Sequence, residues 1–278
     1  MNEEPDDLNE IADDAEPDLA EAFQAAIAAL VGGIAIADLA GALSSGDARR
    51  VDAALGIEGG EWRAFERRLG DRTQPILDTL ANDAGNRTAE SIGNGATWTL
   101  RTAFKVNDVV IDETRESART ITRSVIGSTP GRLSEREAYD RARLIRTTLG
   151  LNEQQAKTVK AFRDALDGKS PATTRNVLSR SMLAHLNASE RAQALKQFRE
   201  GHLDENRKHE LVNTLRDRLL TGRAATIART ETMRTVNKAE HDAWLQAIED
   251  GTVKGKVRRY WRTMRDERVR YTHRQIPG

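Results

Sequence analysis

The residues with the densest chemical potential sit near the C-terminus. Trp261, Thr263, Asp266, Arg268, Arg270 and His273 follow one another in a single short stretch. An Asp and a His this close could act as a general base or as ligands to a metal. Arg268 and Arg270 could make forked bonds to a carboxylate. A metal needs three or four ligands in reach, the chain has no cysteine, and the other histidines (His185, His202, His209, His241) form no HxxxH pair. No nucleophile accompanies Asp266 and His273, and no Walker loop, GxGxxG, GxSxG or HExxH occurs. The favoured reading is a structural network in which Asp266 accepts N–H groups of a turn after Thr263. A metal-dependent hydrolase or toxin-like enzyme using Asp266 and His273 is the alternative. Neither a cofactor nor a resident metal is expected.

Two further sets of residues bear on that stretch. Glu231, Arg234, Asn237 and His241 recur at helical spacing, and Glu231 and Arg234 can pair along one face. They form either a polar site or a track that fastens the helix to the C-terminal stretch, with Glu231 as carboxylate partner to Arg268 or Arg270. Lys254, Lys256, Arg258, Arg259 and Arg262, interleaved with Tyr260 and Trp261, are candidate phosphate contacts. Such a grip on DNA would be nonspecific and steep in salt, because no base-reading pattern accompanies it.

The elements that must position these residues are helical. Aromatics are only 4% of the chain and charged residues 31%, so cores are thin and built from Ala, Leu, Ile and Val. Absent cysteine excludes disulfides and thiolate metal sites and suits a reducing compartment. The net charge of zero conceals an asymmetry: the first 48 residues hold no Lys or Arg, whereas basic residues outnumber acidic ones from Arg207 onward. Residues 1–20 read as an acidic disordered tail. Residues 22–43 are apolar enough to raise a membrane span, but Gln24, Asp38, Gly32-Gly33 and the lack of flanking basic or aromatic belts favour a packed helix. A protein that engages membrane through 22–43 and DNA through its basic end is a further reading.

The remaining divisions are an N-terminal helical region over 21–130, a middle helical region over 131–222 and a C-terminal region over 223–278. Asp47 caps a helix from Ala48. Glu61–Leu69 and residues 73–92 read as separate helices, ended by Gly93-Asn94-Gly95. A connector at 98–105 precedes a helix from Asn107 or Asp108 to Ile126. Leu133-Ser134 with Glu137, Leu151-Asn152 with Gln155, and Leu186-Asn187 with Glu190 each spell a staple, a cap and its reciprocal partner. Gly222 is expected to separate a helix of 207–220 from one of 223–249, which Asp250-Gly251 ends. Ala225, Ala228, Thr232, Val236, Ala239, Ala243 and Ala247 give the second of these a small-residue stripe, extended by Trp244 and Ile248. Lys256–Thr263 alternates like a short strand. The fold class expected is mainly α, multi-helix and elongated, with a small α+β C-terminal unit of long helix plus short strand and turn.

Ile227-Ala228-Arg229-Thr230-Glu231-x-x-Arg234-x-x-Asn237, then Trp244, then Trp261-x-Thr263-x-x-Asp266-x-Arg268-Val269-Arg270-x-x-His273 resembles the phage head-morphogenesis family, the minor head proteins typified by protein F of phage Mu. The resemblance covers residues 223–273. It implies a non-enzymatic minor structural protein of a tailed-phage head, located in the head interior at the portal vertex and in the host cytoplasm during assembly. It implies the portal protein as partner, with the major capsid or scaffolding protein and packaged DNA as further candidates. It also implies several copies per particle and a role in head assembly, DNA packaging or ejection. Arg229, Glu231, Arg234, Asn237, Trp261, Thr263, Asp266, Arg268, Arg270 and His273 would be its folding and contact core. Family members usually continue past the His with a strand and a Cys-containing tail, whereas this sequence runs to Pro277-Gly278. The resemblance therefore implies a missing tail, or a partner that supplies its packing.

Overall fold

The computed structural model describes residues 6–57, 59–93, 95–106, 108–127, 133–167, 187–199 and 204–254. These residues form nine helices and, among them, no strand: α1 (Asp6–Gly33), α2 (Ile36–Ser45), α3 (Ala48–Ala54), α4 (Gly60–Ile92), α5 (Asp108–Gly127), α6 (Glu135–Thr148), α7 (Glu153–Leu166), α8 (Ala188–Arg199) and α9 (Glu205–Glu249). The protein is mainly α. The strand expected at 256–263 lies outside the described residues.

Three long helices, α1, α4 and α9, make the central bundle. Helix α1 runs antiparallel to α9, because Glu16 meets Arg229 while Phe23 lies under Arg223. It is antiparallel to α4 as well: Gly33 approaches Glu61 at one end, and Ile11 shares a groove with Glu90 at the other. The α2 helix leans on α6, α5 sits against α6 and α7, and α7 covers the first turns of α9.

Over residues 6–20, where a disordered acidic tail was expected, the chain is helix α1; residues 1–5 of that tail lie outside the described residues. From residue 8 onward Leu8, Ile11, Ala12, Ala15, Leu19, Phe23, Ala26, Ile27 and Leu30 return at steps of three and four, and all face the core. The acidic residues between them, such as Asp13, Asp14 and Asp18, stay in water. Pro17 falls on the exposed side of the helix, so the hydrogen bond it deletes is one that solvent can replace. The apolar stretch of 22–43 is bent by 62° between α1 and α2, and no single helix among the described residues is long and apolar enough to cross a membrane. Most of its large side chains are buried against this chain's own helices.

Two expected breaks are absent for the same physical reason. Glu61–Leu69 and 73–92 are one helix, α4, with Pro75 inside it. An interior proline costs about 3 kcal/mol, but Trp62, Phe65, Leu69, Leu77, Leu80, Ala81 and Ala84 continue one buried stripe through it. Gly222 likewise lies inside α9, exposed, with Leu215 and Leu220 buried before it and Arg223, Ala224 and Ala228 after it. Glycine costs a helix about 1 kcal/mol relative to alanine, too little to end a helix packed along its whole length. The stripe along α9 departs from the expectation at both ends: Ala224 is buried where Ala225 is exposed, and of the expected extension Trp244 is half-buried and Ile248 exposed.

Local signals behave as their chemistry dictates. Ser134 with Glu137, Asn152 with Gln155, and Asn187 with Glu190 all close reciprocal capping boxes. Asp47 accepts from the Arg49 N–H at 2.9 Å to cap α3, and Gly251, at φ 75°, lies just past the end of α9.

Candidate functional site

The first motif block occupies the second half of α9, and its side chains part company there. Arg229, itself exposed, reaches α1, with Nε 3.2 Å from the half-buried Glu16 carboxylate. Glu231 is 2% exposed and pairs with Arg234 at 2.8 Å. The Arg234 guanidinium also donates to the backbone carbonyl of Lys105. Asn237 turns back on its own helix, Nδ2 donating to the Met233 carbonyl at 2.7 Å, and His241 is exposed. The polar track therefore does not form one catalytic cluster. Glu231 is a buried carboxylate held by the guanidinium one turn on, and that guanidinium grips the connector that follows α4.

This connector, residues 95–106, is an extended strap laid back along the groove between α4 and α9. Trp98 lies flat over Gly85, where a Cβ would stand 2.3 Å from a ring carbon. Gln246 clamps Thr99 from both sides: its Oε1 accepts from the Thr99 N–H at 3.1 Å, and its Nε2 donates to the Thr99 carbonyl at 2.8 Å. Further along, the Phe104 N–H donates to Asp78 at 2.9 Å, and Lys238 stands 5.3 Å from the centroid of the Phe104 ring. The strap lacks regular backbone partners, so side chains from both flanking helices satisfy it. Leu245, 43% exposed, borders it on the last turns of α9.

The second motif block does not enter this description. Trp261, Thr263, Asp266, Arg268, Arg270 and His273 lie outside the described residues, as do Lys256, Arg258, Arg259 and Arg262. The proposed fork from Arg268 or Arg270 to Glu231 lies outside them too. Lys254 is exposed. Among the described residues no three His, Asp or Glu side chains gather closely enough to hold a metal ion.

Sequence reasoning passed over two clusters that the fold creates. Arg223, 5% exposed, donates to the Gly150 carbonyl, to Thr114 and to Glu113, and sits over the Phe23 ring. Burial pulls its pKa below the usual guanidinium range, while Glu113 opposes that shift. The only hint in the sequence is an arginine placed on the buried face of an otherwise small-residue stripe. At the other end of α9, Arg163 and Asp167 of α7 meet Glu205 and Lys208: Arg163–Glu205 at 2.5 Å, Arg163–Asp167 at 3.2 Å, Lys208–Glu205 at 2.9 Å and Lys208–Asp167 at 3.3 Å. Hydrogen bonds from Lys208 and then Arg163 hold the Glu205 carboxyl at a pKa of about 2. Members of this quartet are far apart in sequence, so no local pattern announces it.

Comparison of the chain with protein-family models, with curated proteins and with solved structures found no match.

Proposed function

We propose that this chain is a minor structural protein of a tailed-bacteriophage head that associates with the portal and aids head assembly, DNA packaging or DNA ejection. The observation that carries the reading is the ordered pair of sequence blocks, Ile227 to Asn237 and Trp261 to His273. The fold gives the first block a role consistent with it. Arg229 pairs with Glu16 of α1, and Arg234 joins Glu231 to the Lys105 carbonyl of the strap, contacts that this reading assigns to a folding core. In this reading residues 223–278 make a small α+β C-terminal unit, in which Asp266, Arg268, Arg270 and His273 clasp a short strand and turn to the long helix. The portal protein is the proposed partner, with the major capsid or scaffolding protein and packaged DNA as further contacts, and the protein is present in several copies per particle.

The test is electron microscopy of intact particles together with mass spectrometry of purified heads. The chain is expected in density at the portal vertex and in the head fraction. Heads that contain the portal but none of this chain, at any stage of assembly, would sink the reading. Asp266→Ala and Arg268→Ala are expected to lower incorporation into heads, because each strands an ionic partner.

A further inference from the structure

A second concave surface lies at the opposite end of the bundle from the strap. The last turn of α1, the start of α2, the second half of α6 and the first half of α9 enclose an open cleft of about 560 Å³, within the usual range for small-ligand sites. Val31 and Ile36 contribute an apolar floor, and Arg143, Arg146, His209 and Arg216 form the rim. The rim carries more positive charge than its neighbours neutralise. Among the described residues no carboxylate forms an ion pair with Arg143 or Arg146. Arg146 is instead fixed in place by a 3.0 Å bond from its Nε to the Val31 carbonyl. Among the described residues Arg216 pairs with its chain neighbour Asp217 alone, at 2.7 Å, and its buried Nε meets no acceptor.

We propose that this cleft binds a phosphate group carried on a partly apolar body, the chemistry of a nucleotide, free or within a single strand of nucleic acid. Guanidinium groups suit phosphate because their N–H groups fork onto two oxygens at once. The apolar floor gives the attached base or sugar a surface to cover, which a bare ion would leave unused.

The site also contains its own reporter. Arg143 Nη1 stands 3.4 Å from His209 Nε2, and because a guanidinium only donates, that contact suits a ring nitrogen that accepts. Burial first, then Arg163 of α7 and Arg143 of α6, hold the His209 pKa below its usual value, against Glu205 of α9 and Asp140 of α6. A dianion seated on the rim beside Arg143 and His209 favours the imidazolium, so ligand uptake draws in a proton. This inference does not depend on the proposed role in phage heads, and its failure would leave that role untouched.

The experiment follows the His209 ring resonances of the full chain by NMR, assigned with His209→Gln, during titration with inorganic phosphate, a 5′-mononucleotide and a short single strand. Saturable shifts are expected, with a higher His209 titration midpoint when ligand is bound. The mononucleotide should bind at least about tenfold more tightly than phosphate, the factor that about 1.4 kcal/mol of added contact supplies. Arg143→Gln and Asn213→Glu, both at exposed positions on the cleft, should each weaken binding about tenfold while circular dichroism stays unchanged. A strand that binds more tightly than the mononucleotide identifies the phosphodiester chain as the ligand, and equal affinities identify the free nucleotide. Absent shifts, a mononucleotide no tighter than phosphate, or folded variants that bind like the parent would overturn the proposal.

Discussion

Arg223 of α9 donates a 2.6 Å hydrogen bond to the carbonyl of Gly150, in the turn between α6 and α7. The same guanidinium reaches Thr114 on α5 and covers Phe23 on α1, so one side chain joins the central bundle to the layer outside it. Gly150 is suited to its place: its φ is 86°, and a Cβ there would stand 2.5 Å from Ile27. Replacing Arg223 with Ala leaves the buried Gly150 carbonyl without its donor and removes the cover over Phe23. A loss of about 2–4 kcal/mol is expected in urea unfolding. Arg223→Lys should recover only part of it, since an ammonium cannot serve two directions with one planar fork. Unchanged unfolding midpoints in both variants would refute the keystone role.

Gln246 holds the strap by satisfying both backbone groups of Thr99. Gln246→Leu keeps the volume but deletes both bonds, and should cost about 1–3 kcal/mol. Amide exchange at Thr99 should quicken more than exchange in the middle of α9. Equal protection of Thr99 in parent and variant would show that the clamp is not what fixes the strap.

Two glycine substitutions should act in opposite directions. Gly222→Ala lies at an exposed helical position with open space around the new methyl group, and should stabilise by up to about 1 kcal/mol. Gly85→Ala carries the same helical advantage but drives a methyl group into the Trp98 ring. Overpacking costs about 1–3 kcal/mol, so the net effect should be destabilising, with Trp98 fluorescence moving to the red as the strap lifts. Thermal melts of the two variants, run side by side, read the difference.

Acid should loosen the α7–α9 junction before the central bundle. Glu205 has a folded pKa of about 2, below its model-compound value of 4.5. A carboxylate depressed on folding contributes stability that is fully present above the unfolded pKa and lost as pH falls toward the folded one. Stability should therefore decline between about pH 4.5 and pH 2. In Glu205→Gln that part of the decline should be absent, with lower stability at neutral pH. Because the Glu205 side chain is 43% exposed, raising the salt concentration should shrink the effect. Parallel acid titrations of parent and variant, followed by circular dichroism, check it.

What the sequence determined alone is whatever depends on a few neighbouring residues. A capping box needs only a side-chain oxygen and a reciprocal partner three positions on, so Ser134, Asn152 and Asn187 mark their helix starts without any knowledge of the fold. Helical periodicity likewise made the α class and the buried stripe of α9 readable in advance. Tertiary structure decided where breaks fail to break. Pro17, Pro75 and Gly222 each oppose a helix by a fixed local amount, and only the buried apolar faces on either side show that packing outweighs it. It also decided the partners of the buried ions. Arg223 finds Gly150 and Thr114, and the buried Arg163 finds the half-exposed Glu205, across separations that no local spacing encodes. Those contacts exist because three long helices bring distant segments into register, and a charge in a low-dielectric interior takes whatever partner that register supplies.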